Sequence, residues 1–353
     1  LYEASLERNP FFAPWMLLPA LRHLATPAVS LLCVFDGHHG RDAPLLALTP
    51  VTVAQRRGRA PLRMIETWRH PHCFYGAPLI RRGAEGAALA ALMAAPESHP
   101  ARPMLTRLGG LDADGPAALA VLAAASRTGR SARLSGVYAR ARLDGGFAAD
   151  DYIAGVGRKK KRKEVARLRN RLAERGGATF RSFAPGDDLA RWRDDFLALE
   201  HAGWKGRQGT SFAATQQGAL FFREALEGAL AAGALDFHRL DMGTGEDSAP
   251  LAMIVNFIDG GDGYSFKIAY DENHARFSPG VMLELEMLKA LEARDGLHFI
   301  DSCAAPRHPM IDSLWVGRRR IGALEIARPG LGGRALLAAL GAAEGVAMRL
   351  RES

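Results

Sequence analysis

Residues 259–281 read Asp259-Gly260-Gly261-Asp262-Gly263-Tyr264-Ser265-Phe266-Lys267-Ile268-Ala269-Tyr270-Asp271-Glu272-Asn273-His274-Ala275-Arg276-Phe277-Ser278-Pro279-Gly280-Val281. The glycine-rich turn follows the apolar run Ala249–Ile258 and predicts an antiparallel hairpin into a strand at Tyr264–Tyr270. On that strand Lys267 alternates with Ser265 and Ala269, which sets Phe266, Ile268 and Tyr270 on the opposite face. After a loop, Pro279 suits the first turn of a helix at Val281–Ala293, because its φ is already helical and its missing N–H would have no partner there. A strand at His298–Ser302 and a last strand near Arg320–Ala327 follow. Strands and helices mixed in this way describe an α/β (α+β) fold.

Upstream, strand Ala178–Phe183 leads to a helix that opens at Asp187-Asp188 and runs toward His201. A Gly203-Trp204-Lys205-Gly206-Arg207 loop, a helix at Ala213–Ala232 and a strand at Leu235–Asp241 come next. The first 150 residues are also mixed α/β. An apolar helix runs through His23, and strands are expected at Val29–Phe35, Leu45–Val53, Met64–Trp68, Met104–Leu108 and Leu134–Leu143. Helices are expected at Ala84–Ala95 and Pro116–Arg127. With 353 residues, the chain has room for two domains of about 100–200 residues.

Charge separates the two halves. Residues 158–175 hold ten basic and two acidic side chains, which is the whole net excess of +8, so the rest of the chain is neutral in sum. Val165, Leu168 and Leu172 form a narrow apolar stripe through this run, as on a connecting helix that stops at Gly176-Gly177. Only seven lysines occur; four lie in the run, and Lys289 has Glu286 and Glu292 three residues to either side. Lys205 and Lys267 stand alone and draw attention.

Several function classes are excluded. No stretch approaches the roughly 18 uncharged apolar residues of a spanning helix. Three widely spaced cysteines, with no C-x-x-C, give neither a zinc ribbon nor a disulfide framework and suit a reducing compartment. Walker A, G-x-G-x-x-G and H-E-x-x-H motifs are missing. His70-Pro71-His72 has no acidic third ligand nearby, so no metal site is expected, and Cys73 has no activator beside it.

Gly203-Trp204-Lys205-Gly206, Phe221-Phe222-Arg223, Phe266–Glu272 and Phe277–Val281, in this order and spacing, resemble the CelD/BcsL-type acetyltransferases. These belong to the GNAT superfamily and are related to the tandem-GNAT Fem aminoacyltransferases. The resemblance is best over residues 150–325. It implies two GNAT-like domains in tandem, at 1–150 and 178–353, joined by a basic helix at 151–177 and separated by a cleft.

The same resemblance implies acyl-CoA as co-substrate, with no permanently bound cofactor. The CoA pyrophosphate would rest on Arg276, Ser278, Pro279 and Gly280, where helix N–H groups and the positive helix end face an anion. That loop departs from the usual Arg/Gln-x-x-Gly-x-Gly/Ala pattern, and a plain helix cap is the competing reading. Lys267 is costly to bury without a partner, which Asp271 or Asp301 could supply; the alternatives are a structural ion pair or a cation set against developing negative charge. Trp204 and Lys205 read as a substrate clamp or lid, or as a tryptophan anchor for the loop. His70 and His72 are candidate general bases or acceptor contacts, with a packed structural loop as the plainer reading, and His308 is a second candidate at the substrate.

The expected reaction is direct attack of an amine or hydroxyl on the acyl thioester. CelD/BcsL relatives imply a polysaccharide acceptor, and bacterial ceramide synthases of GNAT type imply a sphingolipid one. The basic residues 158–175 suit a solvated linker face or attraction to an anionic membrane, which would place a cytoplasmic protein at the inner membrane surface. Nucleic acid is disfavoured, because no aromatics interleave the cations. A Fem-like aminoacyl-tRNA transferase and a non-catalytic scaffold of an exopolysaccharide or lipid assembly complex are the other two classes.

Overall fold

A computed structural model describes residues 1–37, 43–155, 167, 168, 170, 177–243 and 248–352. In chain order its elements are α1 (Pro14–His23), β1 (Ser30–Phe35), β2 (Leu45–Ala54), β3 (Met64–Thr67), β4 (Leu79–Ile80) and α2 (Glu85–Ser98). Next come β5 (Leu105–Asp112), α3 (Pro116–Arg127), β6 (Ala132–Asp144), α4 (Ala149–Gly155), β7 (Ala178–Ser182) and α5 (Leu189–Ala202). The remainder are α6 (Gln216–Ala231), β8 (Leu235–Met242), β9 (Ala249–Asp259), β10 (Asp262–Tyr270), α7 (Pro279–Glu292), β11 (Phe299–Asp301), β12 (Gly317–Ala327) and α8 (Leu331–Glu352). The mixed α/β class expected from sequence is the one observed, and the C-terminal α8 is an addition to it.

The chain forms two compact units, and their boundaries cross the contiguous partition expected at 150 and 178. One unit comprises Leu1–Pro14, Ala25–Ala139 and Arg320–Ser353, and the other Trp15–Leu24 and Arg140–Arg319. The physical reason is strand pairing. Residues 321–327 of β12 pair with β5, which places the chain end in the first unit, while Phe299–Asp301 pair with Arg142–Asp144 in the second. The basic helix at 151–177 lies mostly outside the described residues. Leu168, from its apolar stripe, is buried in the second unit's core.

The first unit is closed by ion pairs on its last helix. Arg57 and Arg133 each bridge the fully buried Glu325 of β12 to Glu344 of α8.

The second unit's sheet runs from the end of β6 through β11, β10, β9 and β8 to β7. Gly260 and Gly261 both have positive φ (60° and 90°) between the paired Asp259 and Asp262, the two-residue turn that the sequence called for. On one face, Phe196, Phe212, Phe221, Phe222, Phe237, Phe257 and Phe266 are fully buried or nearly so. Their rings meet at centroid separations of 4.5–6.1 Å, each pair adding about 0.5–1.5 kcal/mol beyond its area. α1 joins this face: Trp15 packs 5.0 Å from Phe257, and any Cβ at Gly228 of α6 would lie 2.7 Å from that of Trp15. On the other face α7 packs Leu283, Met287 and Leu291 against Leu240, Leu251, Ile254 and Ile300.

Candidate active site

β10 pairs with β9 along its length, but with β11 only at Asp262–Tyr264. From Ser265 onward no strand among the described residues covers that edge. The Lys205 ammonium stands there instead, donating to the Ile268 carbonyl at 2.9 Å and to Glu200 Oε1 at 3.1 Å. The other Glu200 oxygen accepts the Phe212 N–H at 2.8 Å, so a carboxylate that is only 3% exposed is satisfied on both sides.

A β-bulge re-aims the next lysine. Register steps from Ser265↔Asn256 to Lys267↔Val255, leaving Phe266 as the extra residue. Phe266 and Lys267 therefore both meet Phe212, the ammonium 5.3 Å from the ring centroid, while Ile268 and Tyr270 pack on the α7 side. The expected alternation, with Phe266 on the face of Ile268 and Tyr270, fails at this step. Burial lowers the Lys267 pKa from 10.5 to about 8; the nearby Lys205 charge lowers it too, and Glu200 and Cys303 oppose them.

The loop after β10 is organised by Asp271. Its carboxylate accepts the Asn273 N–H at 2.9 Å and lies 2.7 Å from His274 Nδ1. Arg276 is exposed, with its guanidinium 4.9 Å from the centre of the Phe277 ring. Ser278 has left-handed backbone (φ 51°, ψ 54°), and its carbonyl accepts both Val281 N–H (3.0 Å) and Met282 N–H (3.1 Å) as α7 begins at Pro279. A Cβ at Gly280 would stand 3.6 Å from Ile268 Cδ1 and 4.0 Å from Tyr270 Cδ1. The first turn of α7 thus lies directly against the uncovered half of β10.

The Gly203–Arg207 segment forms one helical turn docked on Glu272. Trp204 N–H and Arg207 Nη2 each reach that carboxylate at 2.6 Å, and the Arg207 bond holds its pKa below the usual range, helped by the Trp204 N–H. Only glycine fits at 206, where a Cβ would meet the His201 carbonyl at 1.7 Å. The Trp204 indole is 47% exposed. Trp204, Lys205, Ile268 and Tyr270 line a narrow cleft, and beside it a groove of about 480 Å³ runs past Asp195, Arg207, Asp271 and Glu272.

Asp301 has a different role from the one expected. It is fully buried and held by Arg140 (2.6 Å), Arg319 (3.1 Å) and the Cys303 N–H (2.8 Å). Register explains this: Asp301 stands opposite Tyr264, three residues before Lys267, or roughly 10 Å along the strand. Glu200 supplies a carboxylate charge that acts on Lys267. Asp271 serves its own loop.

His70 and His72 belong to the first unit. His70 is buried, accepts the His72 N–H on Nδ1 at 3.3 Å and packs beside Trp68. Burial pushes the Cys73 thiol up to about 12, which keeps it protonated. His308 accepts the Ile311 N–H at 3.3 Å in a turn of the second unit. Among the described residues no group of three or more His, Cys, Asp or Glu could hold a metal ion, and no helix is long and apolar enough to cross a membrane.

Three neighbours of the site escaped sequence reading: Glu200, Phe212 and Glu284. The last was legible in part, since Gly280, Glu284, Met287, Leu288 and Leu291 share the buried helical face. Glu284 lies within that core, where burial raises its pKa to about 8 against the lowering effect of Trp315.

Residues 159–308 match the family described as acetyltransferase (GNAT) domain. The fold is similar to the crystal structure of FemX (TM-score 0.57, 11% identity, 92% of this chain and 93% of that one). It is equally similar to a conserved protein of unknown function from Bacteroides thetaiotaomicron VPI-5482, with the same score, identity and coverage. A tandem GNAT protein from the clavulanic acid biosynthesis pathway covers 93% of this chain at 15% identity and TM-score 0.44. No curated protein matches the chain in sequence. The match over residues 159–308 is to an acetyltransferase (GNAT) domain, and it supports general acyl transfer as the chemistry of that stretch.

Proposed function

We propose that the second unit binds an acyl-CoA across the junction of β10 and α7, and that an amine or hydroxyl acceptor attacks the thioester there. The observation that carries this reading is that Gly280, in the first turn of α7, packs against the Ile268 and Tyr270 side chains, which belong to the half of β10 that β11 leaves unpaired. A helix start offers N–H donors and a positive dipole end to the pyrophosphate. On that same strand, backbone donors around Lys267–Tyr270 face the thioester carbonyl. The attacking group adds to that carbonyl, the oxyanion is stabilised by those donors and by the Lys267 charge, and the C–S bond breaks to release CoA thiolate. Lys205, tied to Glu200 and Ile268, positions the edge, and Trp204 with the adjoining groove receives the acceptor. His308, in the same unit, is a candidate base for the acceptor proton.

The finer assignment is a CelD/BcsL-type enzyme acting on an envelope lipid or polysaccharide precursor. The ten cations in residues 158–175 support attraction to an anionic inner-membrane surface from the cytoplasm. The test is release of CoA thiol from acetyl-CoA and palmitoyl-CoA, with glucosamine-type sugars and a sphingoid amine as acceptors. Thiol release that needs both partners supports the reading. Transfer from aminoacyl-tRNA but from neither CoA ester would replace it.

A further inference from the structure

A second reactive group lies at the other end of the second unit's sheet. Ser182 Oγ is 2.9 Å from His238 Nδ1, and His238 Nε2 is 2.8 Å from Asp236 Oδ2. Register creates the juxtaposition. Ser182 faces His238 across β7 and β8, and the Phe183 N–H bonds the Phe237 carbonyl, so 182/238 is the closely spaced pair without ladder hydrogen bonds. Asp236 lies two residues earlier on β8, on the same face as His238.

The protonation pattern follows from chemistry. An ionised carboxylate only accepts, so Asp236 fixes the proton of neutral His238 on Nε2. Nδ1 is then left with its lone pair, and the Ser182 hydroxyl must donate to it. Burial opposes ionisation of Asp236, but the hydrogen bond from His238 Nε2, the Asn256 amide at 2.8 Å and Arg294 at 3.3 Å hold its pKa below the ordinary value. Phe180 stacks on the imidazole at 5.5 Å and 20°. His238 is 3% exposed, whereas Ser182 is exposed at the end of the sheet's edge strand. The ladder pattern also turns the Ser182 N–H away from β8, off the sheet edge, where it can receive an oxyanion.

We infer that Ser182, His238 and Asp236 form a nucleophilic relay that accepts an acyl group from activated esters or thioesters, separate from the GNAT site. Ser182 Oγ attacks the acyl carbonyl as its proton passes to His238 Nδ1. The bond to the leaving alkoxide or thiolate breaks, and that group takes the proton from Nδ1. Water then enters by the same route, its proton moving to Nδ1 and its oxygen to the carbonyl, and Ser182 leaves with the proton restored. The products are a carboxylic acid and an alcohol or thiol. Arg294 follows α7, and 14 residues of helix separate the two ends by about 20 Å, so this centre does not share the groups at Ser278–Gly280.

The test uses the full chain with 4-nitrophenyl acetate and, separately, a fluorophosphonate probe, read by intact mass and peptide mapping. Expected is a single acetyl or phosphonyl group on Ser182 with a matching burst of 4-nitrophenol. Ser182→Ala, a surface change, abolishes it, and folded Asp236→Asn slows it at least tenfold. CoA-dependent transfer is unchanged in Ser182→Ala, which separates failure here from failure of the GNAT reading. Absence of modification at Ser182 in the wild type overturns the inference. Modification of other serines at an equal rate, or folded Asp236→Asn reacting at the wild-type rate, overturns it as well. Should Asp236→Asn not fold, the comparison of Ser182 with the other serines decides alone.

Discussion

The Lys205 ammonium donates to the Ile268 carbonyl at 2.9 Å, on the edge of β10 that β11 leaves uncovered. A lysine bound to strand backbone ties the Gly203–Arg207 segment to the strand expected to face the thioester. The same ammonium neutralises Glu200, which reaches back to the Phe212 N–H. One side chain thus couples a surface loop, a buried carboxylate and the open strand.

Lys205→Met leaves Glu200 buried without its cation. Breaking such a pair costs about 3–5 kcal/mol when both groups are deeply buried, and Lys205 is partly accessible, so about 2–3 kcal/mol is expected. Thermal denaturation should show the loss, and adding Glu200→Gln to Lys205→Met should recover part of it. Equal stability of Lys205→Met and wild type would remove Lys205 from this role.

Lys267 gives a pH signature. With its pKa lowered to about 8, it is a cation at pH 7 and becomes neutral just above pH 8. Acyl transfer that uses this charge should decline through that range, and Lys267→Met should be slower, by about 10²-fold, and lack the limb. The stability sign is opposite. The folded pKa lies below the ordinary 10.5, so the unfolded chain binds more protons between about 8 and 10.5 and stability rises with pH there.

Glu284 behaves in reverse. Its folded pKa of about 8 exceeds the ordinary 4.5, so the native state holds a proton that the unfolded chain releases, and stability falls as pH rises from about 4.5 to 8. Glu284→Gln removes that dependence. The variant should match wild type near pH 4.5 and melt higher at pH 8, by about 2–4 °C for each kcal/mol recovered.

The notch at Gly280 separates shape from chemistry. A Cβ there makes only ordinary contacts, at 3.6 Å to Ile268 and Met310 and 4.0 Å to Tyr270, so Gly280→Ala should fold normally and keep donor binding. Gly280→Trp must displace Ile268 or Tyr270 and should weaken binding of an acyl-CoA at least tenfold by calorimetry.

Much of the fold was legible because local signals agreed. The Gly260-Gly261 turn, the alternating strands and Pro279 placed β9, β10 and α7 within two or three residues. The start of a helix at Pro279 was likewise expected from the sequence. What escaped was set by pairing between distant segments. The bulge that turns Phe266 to the face of Lys267 depends on register with β9, which no local pattern in β10 encodes. Asp301 went to Arg140 and Arg319 because β11 is only three residues long and pairs too early to reach Lys267. Glu200 was hidden because its five-residue spacing to Lys205 becomes a contact only when the helix ends at Gly203 and the chain turns.

Thermal stabilisation of the full chain by acetyl-CoA, palmitoyl-CoA and free CoA, with ATP as control and Gly280→Trp alongside, tests the donor site most directly. A ligand that binds only the native state stabilises by RT ln(1 + [L]/Kd), about 2.7 kcal/mol at a hundredfold excess over Kd. The expected result is a rise in melting temperature with the CoA species, none with ATP, and loss of the rise in Gly280→Trp. No rise with any CoA species, or an equal rise in Gly280→Trp, would contradict a thioester donor held at the start of α7.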